Sequence, residues 1–325
     1  MKRKRHITKK DTIMTRIKNW SVSILLAGAM LWGLQSYSAS SLKFAQVSDV
    51  HFYTGQNNTT FKMIAESPKL LDDVIDQINS TPNVSFVMFT GDQIDKSFEK
   101  ELSAFLPHTT KLNAPWYFAF GNHDTCIGGY LTPALYMQLV NEYNKNHKFE
   151  KSYYSFVPQK GYKAIVLDTI IRDRLTSNGR LGEQQLAWLD NEIKNSSKDV
   201  ILIFMHVPVL EPYNSPNHRL LDADKMEEIL NKYKNPIAVF QGHYHGAKIT
   251  QRDNILYVSC PALVSYPNAF RMITVTNYRT KVVFDIQNKE TRLKDIQKLA
   301  KLLVFGSTIY TGEEKDQNGT FVLKK

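Results

Sequence analysis

The sequence predicts an α/β fold in which a β-sheet is covered by helices and joined to a second, antiparallel portion. From Leu42 onward, short apolar, β-branched or aromatic segments alternate with segments of helical periodicity, the pattern of strands connected by helical crossovers. After Ile249 the segments become closely spaced strands, which is typical of antiparallel pairing. The chain of 325 residues is 42% hydrophobic, so it contains enough apolar side chains for a large core.

The first half of the body is predicted to contain three strands and two helices. The strands are SLKFAQVSD, VSFVMFTGD and APWYFAFGNHD. Between the first two, SPKLLDDVIDQINS predicts an amphipathic helix with Ser67 as N-cap and Pro68 at the first helical position. The apolar face of this helix consists of Leu70, Leu71, Val74, Ile75 and Ile78. The second helix, TPALYMQLVNEYNK, follows the third strand.

The second half repeats the alternation and then changes to strands alone. The strand KAIVLDT precedes the helix LGEQQLAWLDNEIKNS, in which Leu186, Leu189 and Ile193 face inward. The strand DVILIFMH, the helix around DKMEEILNKYK and the strand NPIAVFQGHYH follow. The final strands are KITQ, ILYVS, RMITVTN and TKVVFDIQ.

Three parts of the chain are distinguished by composition. Residues 1–40 form a leader, and residues 41–288 form one domain, since no linker rich in Pro, Gly or Ser divides them. Residues 289–325 are predicted to form an extension packed on the domain, with an amphipathic helix and a hairpin around Asn318 and Gly319. The apolar side of that helix carries Leu293, Ile296, Ala300 and Leu303.

The leader has the order of a secretory signal peptide. A basic segment precedes an apolar run from Trp20 to Leu34, and small residues at Ser36, Ser38 and Ser40 suit a cleavage site. The alternative is an uncleaved N-terminal anchor, although the apolar run is shorter than the ~20 residues that span a bilayer. We therefore expect an exported protein, periplasmic or extracellular, with membrane contact only through an uncleaved leader.

The positive charge of the chain is concentrated in this leader. Residues 1–40 carry eight Lys and Arg against one Asp, so they contribute +7 of the net charge of +10 and leave +3 for the rest. The body therefore lacks the basic footprint of a protein that binds nucleic acid duplexes. Cys126 and Cys260 allow at most one disulfide, and the favoured interpretation is two small buried apolar residues. The oligomeric state is left open.

Five predicted strands end in side chains that bind metal ions. Because the carboxyl ends of strands in such sheets face one crevice, we expect a single convergent site. Five of the nine histidines follow strands in this way, beside glycines that suit tight turns. The candidate ligands are Asp49, His51, Asp92, Asn122, His206, His243 and His245, and the glycines are Gly91, Gly121 and Gly242.

The candidate ligands are imidazoles, carboxylates and one amide oxygen, without a thiolate. This mixed set suits Mn, Fe, Co, Zn or Ni rather than a structural zinc site rich in cysteine. Seven ligands are too many for one tetrahedral ion. They suit two ions bridged by a shared carboxylate, an arrangement that holds the attacking and leaving oxygens of a phosphoryl displacement.

The ordered motifs resemble those of the calcineurin-like metallophosphoesterase superfamily from about Leu42 to Ala262. They are Asp49-x-His51, Gly91-Asp92-x-x-Asp95, Gly121-Asn122-His123-Asp124, His206 and Gly242-His243-x-His245. The resemblance implies a four-layer αββα sandwich, two β-sheets flanked by helices, with two divalent or mixed-valence metal ions, Mn, Fe or Zn, at one end. A hydroxide bridging the two ions would then be the nucleophile.

The resemblance also implies a role for each residue of the motifs. One metal would be bound by Asp49, His51, Asp92 and His245, and the second by Asp92, Asn122, His206 and His243. His123 would stand beside the phosphoryl group, to stabilise charge or protonate the leaving oxygen, and Asp95 would accept a hydrogen bond from its ring. Asp124 would support the ligands or simply cap a local helix.

The branch of the superfamily that the motifs favour is the compact, cyclic-nucleotide phosphodiesterase-like one. The stretch GDQIDKS lacks the phosphate-binding Arg of protein phosphatases, and Asp95 stands where purple acid phosphatases place a Tyr. The expected enzyme is a phosphodiesterase acting on a small-molecule or lipid head-group phosphoester, and the alternatives are an extracytoplasmic phosphomonoesterase or a non-catalytic metal-binding interaction module. Candidate substrate contacts in loops are Tyr53, Tyr130 and Tyr213.

Overall fold

The computed structural model describes residues 39–59, 61–305 and 308–325. Residues 40–325 form one compact unit. The predicted signal peptide falls almost wholly on residues 1–38, which lie outside the described residues. None of the helices in the described ranges combines the length and the apolar character needed to cross a bilayer.

The described residues contain twelve strands. They are β1 (Ser40–Val47), β2 (Phe86–Thr90), β3 (Trp116–Ala119), β4 (Tyr154–Phe156), β5 (Tyr162–Val166), β6 (Val200–Phe204), β7 (Ile237–Gln241), β8 (Lys248–Arg252), β9 (Ile255–Ser259), β10 (Ala269–Asn277), β11 (Lys281–Glu290) and β12 (Gly319–Lys324).

The α-helices of the described residues include two single turns. In chain order they are α1 (Ser67–Asn79), α2 (Glu99–Thr109), the single turn α3 (Asn122–Thr125), α4 (Pro133–Tyr143), α5 (Gly182–Asn195), α6 (Ala223–Asn231), α7 (Lys294–Leu303) and the single turn α8 (Glu314–Gln317). A short 3₁₀ helix, Ile64–Glu66, precedes α1.

The strands form two six-stranded mixed sheets within the described ranges. The first has the order β12-β11-β10-β1-β2-β3, and the second has the order β4-β5-β6-β7-β9-β8. In the first sheet β1, β2 and β3 run parallel, whereas β10, β11 and β12 pair antiparallel. In the second, β5, β6, β7 and β9 run parallel between the antiparallel edges β4 and β8. The predicted fold of two mixed sheets flanked by helices is confirmed.

Aromatic side chains fill the space between the two sheets. Phe44 and Phe86 of the first sheet stack with their ring centroids 4.8 Å apart. Phe240 of the second sheet meets Phe44 edge-on at 5.1 Å. Phe204, also of the second sheet, contacts the rings of both Phe44 and Phe86. A second buried cluster joins the outer faces of the sheets to the helices. Both sheets are thus packed against each other, which brings their strand ends to a common edge.

Helix α1 has the predicted apolar face, but its predicted cap is wrong. Leu70, Leu71, Val74, Ile75 and Ile78 are all buried. The N-cap is Glu66, and Ser67 is the first helical residue. The Ser67 hydroxyl instead donates to the Ile64 carbonyl at 2.7 Å and accepts from the Tyr53 amide at 3.0 Å. It therefore closes the preceding 3₁₀ turn, which local sequence spacing does not distinguish from a helix cap.

Two further elements differ from the sequence analysis. Helix α2 was not predicted, because Pro107 lies inside it and its polar residues hide the helical period. The predicted hairpin around Asn318 and Gly319 is absent from the described residues. Gly319 instead begins β12, which pairs antiparallel with β11 and extends the first sheet. The reason is that the edge of β11 offers unpaired backbone groups, to which this segment forms hydrogen bonds.

Candidate metal centre

Five strand ends, from both sheets, deliver the seven predicted ligands to one place. Asp49 and His51 follow β1, Asp92 follows β2 and Asn122 lies just beyond β3. From the second sheet, His206 follows β6, and His243 with His245 follows β7. All seven side chains are buried. The structure therefore brings together every ligand that the sequence predicts, across the junction of the two sheets.

One group of possible metal ligands consists of Asp49, His51 and His245. The Nε2 atoms of His51 and His245 face each other at 3.2 Å. Asp49 Oδ1 lies 3.5 Å from His245 Nε2. Two imidazole nitrogens and a carboxylate oxygen thus converge on a volume the size of a small cation.

A second group consists of Asp92, His206 and His243, with Asn122 beside it. His206 Nε2 lies 3.1 Å from His243 Nδ1 and 3.2 Å from Asn122 Oδ1. Asp92 Oδ2 lies 3.3 Å from the same His206 nitrogen. This group combines imidazole, carboxylate and amide ligands, as the sequence predicts.

Asp92 lies between the two groups. Its Oδ2 atom is 3.3 Å from His206 Nε2 and 3.6 Å from His51 Nε2, so it faces one imidazole of each group. The other oxygen, Oδ1, accepts a hydrogen bond of 2.9 Å from the backbone amide of His123. This is the position required of a carboxylate that bridges two ions.

Hydrogen bonds behind the ligands fix their orientation. Nδ1 of His206 donates to the Thr90 carbonyl at 2.8 Å, which turns Nε2 toward Asp92. Nδ1 of His245 lies 2.8 Å from the Ser265 hydroxyl. Asp49 accepts from Ser48 Oγ at 2.6 Å and from the His243 amide at 3.1 Å. Such partners hold an imidazole or carboxylate ready for a metal.

The backbone of the centre is strained at several ligands. Five of the seven candidate ligands have positive φ, a conformation that L-residues rarely adopt: Asp49, His51, Asp92, His243 and His245. Tight left-handed turns of this kind aim successive side chains into the crevice, and such strain concentrates at functional sites.

The three motif glycines are required mainly by close packing. A Cβ atom at Gly91, where φ is 92°, would collide with the His206 ring. At Gly121 it would collide with the backbone and carboxylate of Asp92, and at Gly242 with the Ser48 hydroxyl. Only Gly91 of the three has a positive φ. The prediction that these glycines allow tight turns therefore holds at Gly91 alone.

The electrostatics of the centre favour a bound cation. Burial raises the pKa of Asp49 to about 7, with a smaller contribution from Asp92. Burial alone would lower the pKa of His206, but Asp92, Asp49 and the Thr90 carbonyl together outweigh burial and raise that pKa to about 9. Burial also lowers the pKa of His51 to about 3, with Lys62 and His123 acting in the same direction. The nearby carboxylates thus favour a positive charge at the position of His206. The other imidazoles stay neutral, so their nitrogen lone pairs are free to bind a metal ion, and the whole set of donors fits metal ions.

His123 is held by the main chain of Asp95 rather than by its carboxylate. Nδ1 of His123 donates to the Asp95 carbonyl at 2.6 Å. The Asp95 carboxylate lies 3.1 Å from His51 Nδ1 and 3.6 Å from Lys62 Nζ. His51 and Lys62 outweigh the effect of burial and lower the Asp95 pKa to about 2. The Asp95 carbonyl therefore orients His123, whereas the Asp95 carboxylate lies close to His51 Nδ1 without an aligned hydrogen bond.

Asp124 caps the single-turn helix α3. Its carboxylate accepts from the Gly121 amide at 2.7 Å and from the Ile94 amide at 3.2 Å. Burial and, next, the nearby Asp92 raise its pKa well above the usual range. This favours the local capping role, and the cap also fixes the turn that carries Asn122 and His123.

A cavity of about 310 Å³ opens onto the candidate metal centre. Among the tyrosines proposed from the sequence, Tyr213 lines it, whereas Tyr53 and Tyr130 are absent from its lining. Tyr130 instead borders a separate surface pocket. Six other residues that line the cavity were not predicted, because they follow no predicted strand: Phe61, Lys62, Ser177, Ser215, His218 and Tyr310. Tyr244 also lines the cavity and was not predicted, although it lies between His243 and His245 at the end of a predicted strand.

The two cysteines are free. Cys260 is fully buried, and burial raises the pKa of its thiol to about 12. Cys126 is half-buried, with its sulfur 3.8 Å from the Arg174 carbonyl. The favoured interpretation of small apolar residues fits Cys260 fully and Cys126 in part.

Comparison with known proteins connects this geometry to a family. The family model described as calcineurin-like phosphoesterase matches residues 42–247. A protein of Arcobacter nitrofigilis named "Probable glycerophosphodiester phosphodiesterase GpdQ" is 23% identical over 219 residues, or 66% of this chain and 76% of that protein. A "Probable cyclic nucleotide phosphodiesterase" of Colwellia psychrerythraea is 25% identical over 237 residues, or 68% and 80%.

A solved structure shows the same fold. A dimetal phosphatase from Danio rerio aligns with a TM-score of 0.59 and 17% identity, covering 75% of this chain and 95% of that one. The likeness agrees with the predicted sandwich of two sheets between helices.

Proposed function

The chain belongs to the calcineurin-like phosphoesterase family, a family of hydrolases, and on this basis we propose that it hydrolyses phosphodiesters at a dinuclear metal centre. The observation that carries the proposal is the placement of Asp92 Oδ2 between His51 and His206, with one group of ligands on each side. Similarity to proteins named as phosphodiesterases supports the diester preference.

We assign the ligands as two sets that share one carboxylate. Asp49, His51, Asp92 and His245 would hold one ion. Asp92, Asn122, His206 and His243 would hold the other, and the mixed nitrogen and oxygen donors suit Mn, Fe or Zn. When bound, the ions supply activation of water at neutral pH and neutralisation of phosphoryl charge.

His123 is proposed to act on the substrate rather than on a metal. Its ring lies at the cavity surface, 4.6 Å between centroids from the His51 ring. Because Nδ1 donates to the Asp95 carbonyl, Nε2 remains available to the substrate. In its protonated form, His123 would donate from Nε2 to a phosphoryl oxygen or to the leaving oxygen.

A phosphomonoesterase is the second candidate function, and Lys62 favours it. The Lys62 ammonium group lines the cavity and lies 3.6 Å from the Asp95 carboxylate. A monoester carries more negative charge than a diester, so an additional cation beside the centre would stabilise it more strongly. The non-catalytic alternative is disfavoured, since both Asp92 and His123 are in place and the family is one of hydrolases.

We also propose that the enzyme acts outside the cytoplasm on a small-molecule or lipid head-group phosphoester. The order of charges and apolar residues in the leader supports export. Cell fractionation of a tagged chain, with mass measurement of its N-terminus, tests this. An intact Met1 in the cytoplasmic fraction would contradict it.

The test of activity is hydrolysis of bis-p-nitrophenyl phosphate and of p-nitrophenyl phosphate by the purified protein, with Mn, Fe or Zn supplied. We expect turnover that depends on added metal and a higher kcat/KM for the diester. A higher kcat/KM for the monoester would replace the first candidate with the second. Absence of turnover in protein shown to contain two ions would overturn both.

A further inference from the structure

Exposed apolar side chains are concentrated in one segment near the C-terminus. Across the described ranges ten large apolar side chains are exposed, and four of them lie within residues 299–309: Leu299, Leu302, Phe305 and Ile309. Leu302 is 71% exposed and Phe305 is 96% exposed. Single exposed apolar residues need no explanation, whereas a cluster of them marks a surface that contacts another molecule or a membrane.

The packing of α7 on the domain does not account for Leu302 and Phe305. The side of the helix that faces the domain carries Ala300, which is buried, and Ile296 and Leu303, which pack against the core. The helical period of 3.6 residues places Leu302 and Phe305 on the opposite side. These two side chains are therefore apolar residues in addition to those that the fold buries.

Lysines lie beside these exposed apolar residues. Lys298 and Lys301 come one turn before Leu302 and Phe305, so all four project from the same side of α7. Lys298 Nζ is 3.9 Å from the Asp295 carboxylate, and both side chains are exposed. A surface ion pair of this kind is weak, so it does not keep the lysine from a stronger anionic partner.

The positive charge of the body is concentrated around α7. Residues 289–305 carry five Lys and Arg against two Asp and Glu, a net charge of +3. This equals the net charge of the whole chain beyond the leader, so the remainder of the body is neutral overall. Basic residues next to exposed apolar side chains complement a surface in which anionic head groups cover hydrocarbon.

Helix α7 also lies close to the candidate metal centre. Gln297 Nε2 donates to the Pro267 carbonyl at 2.9 Å. Ser265, two residues before Pro267, lies 2.8 Å from Nδ1 of the candidate ligand His245. After α7 the chain continues to Tyr310, which lines the cavity. A membrane in contact with α7 would therefore be near the centre.

We infer that the exposed side of α7 docks on an anionic membrane surface. Leu302 and Phe305 enter the region between the head groups, and Lys298 and Lys301 lie against lipid phosphates. The helix lies outside residues 42–247, which the family model matches, so this contact is not a feature of the shared domain. It is also separate from any contact that the leader makes. Docking would hold the centre near head-group phosphoesters, a consequence that rests on the proposed function.

The test is amide hydrogen exchange of the full chain, measured by mass spectrometry with and without lipid vesicles. One set of vesicles contains equal amounts of phosphatidylglycerol and phosphatidylcholine, and the other contains phosphatidylcholine alone. With the anionic vesicles in excess, we expect slower exchange in residues 294–305, and much less slowing with the neutral vesicles. Because the measurement is local to α7, a membrane contact made by the leader does not produce this result.

Two double variants separate the charged from the apolar contribution. Lys298→Gln with Lys301→Gln should reduce the factor by which anionic vesicles slow exchange, by about fivefold for each charge removed. Leu302→Ser with Phe305→Ser should reduce the same factor by about tenfold or more, because less apolar surface enters the membrane. Each variant is compared with and without vesicles, so a change in its intrinsic exchange rate cancels.

The matched controls are Lys198→Gln and Leu175→Ser, which should keep the full slowing. Lys198 precedes β6, so it lies at the sheet edge opposite His206, which follows that strand. Leu175 is 79% exposed and lies outside the apolar cluster.

Three results would overturn the inference: no slowing with anionic vesicles, equal slowing with neutral vesicles, or unchanged slowing in both double variants. Slowing that appears without lipid as the protein concentration rises would also overturn it, and would assign this surface to a second copy of the chain. Hydrolysis of bis-p-nitrophenyl phosphate is measured without vesicles, so failure of the proposed function appears as absent turnover and leaves the exchange result intact.

Discussion

Two layers of the cavity differ in how the chain builds them. The inner cluster is the set of seven buried candidate ligands that follow β1, β2, β3, β6 and β7. The outer lining consists of partly exposed residues from loops and from the C-terminal segment: Phe61, Lys62, Tyr213, His218 and Tyr310. Sheet register fixes the first layer, whereas only loop contacts fix the second.

From this difference we expect the inner cluster to carry the reaction and the outer lining to select the substrate. The ends of paired strands are rigid, and hydrogen bonds such as that from His206 to Thr90 orient the inner cluster further. Loop residues are held by fewer contacts, and substitutions there disturb the sheets less. We therefore expect substitutions in the inner cluster to remove metal or turnover, and substitutions in the outer lining to alter which substrate is used.

The largest effect is expected from Asp92→Ala, which removes the carboxylate shared by both groups of ligands. Metal content, measured by atomic absorption, should fall from two ions to one or none, and activity should fall by more than the ~100-fold typical of indirect contacts. Asp295→Ala, an exposed carboxylate on α7, is the control. Two bound ions in Asp92→Ala would show that the carboxylate does not bridge.

His123→Ala should reduce turnover by about 10²- to 10⁴-fold while both ions remain bound. The reason is that the backbone amide of His123, not its ring, supports Asp92 at 2.9 Å. Metal content and kcat are measured on the same preparation. Loss of metal together with activity would place His123 in the inner cluster, and an unchanged kcat would remove it from the reaction.

The convergence of the inner cluster is predictable from the sequence for a physical reason. Each candidate ligand follows an apolar strand, and parallel strands in one sheet end at a common edge, so local patterns imply spatial convergence. The same applies to α1, whose apolar face has a clear helical period. The pattern does not predict which atom of a residue makes a contact. In Asp95, for example, the carbonyl rather than the carboxylate accepts the hydrogen bond from His123.

The outer lining is much less predictable from the sequence. His218 follows no strand, yet its ring lies 5.1 Å from that of His243. Phe61 and Tyr310 are far apart in the sequence, and their rings meet only in the folded chain. Tertiary contacts of this kind leave no periodic pattern in the local sequence. The hairpin was wrongly predicted for the same reason, because β12 pairs with β11, which precedes it in the chain by two helices.

Ser265→Ala tests the support of the inner cluster with a smaller effect. The Ser265 hydroxyl lies 2.8 Å from His245 Nδ1, and its loss should weaken metal affinity by about 10- to 100-fold without changing activity at saturating metal. Titration of activity against Mn concentration measures this. A reduced activity that excess metal does not restore would indicate a packing defect instead.

Lys62→Met should have the smallest effect and should distinguish substrates. Lys62 lines the cavity without entering the ligand groups, so metal content should stay at the unmodified level. Loss of one charged contact should lower kcat/KM by about tenfold for a phosphomonoester, and by less for a diester, because the monoester carries the larger charge. Lys62→Arg, which keeps the charge, is the matched control and should retain most of the activity. An equal loss for both substrates would mean that Lys62 acts through Asp95, 3.6 Å away, and that the two layers are coupled at this point rather than separate.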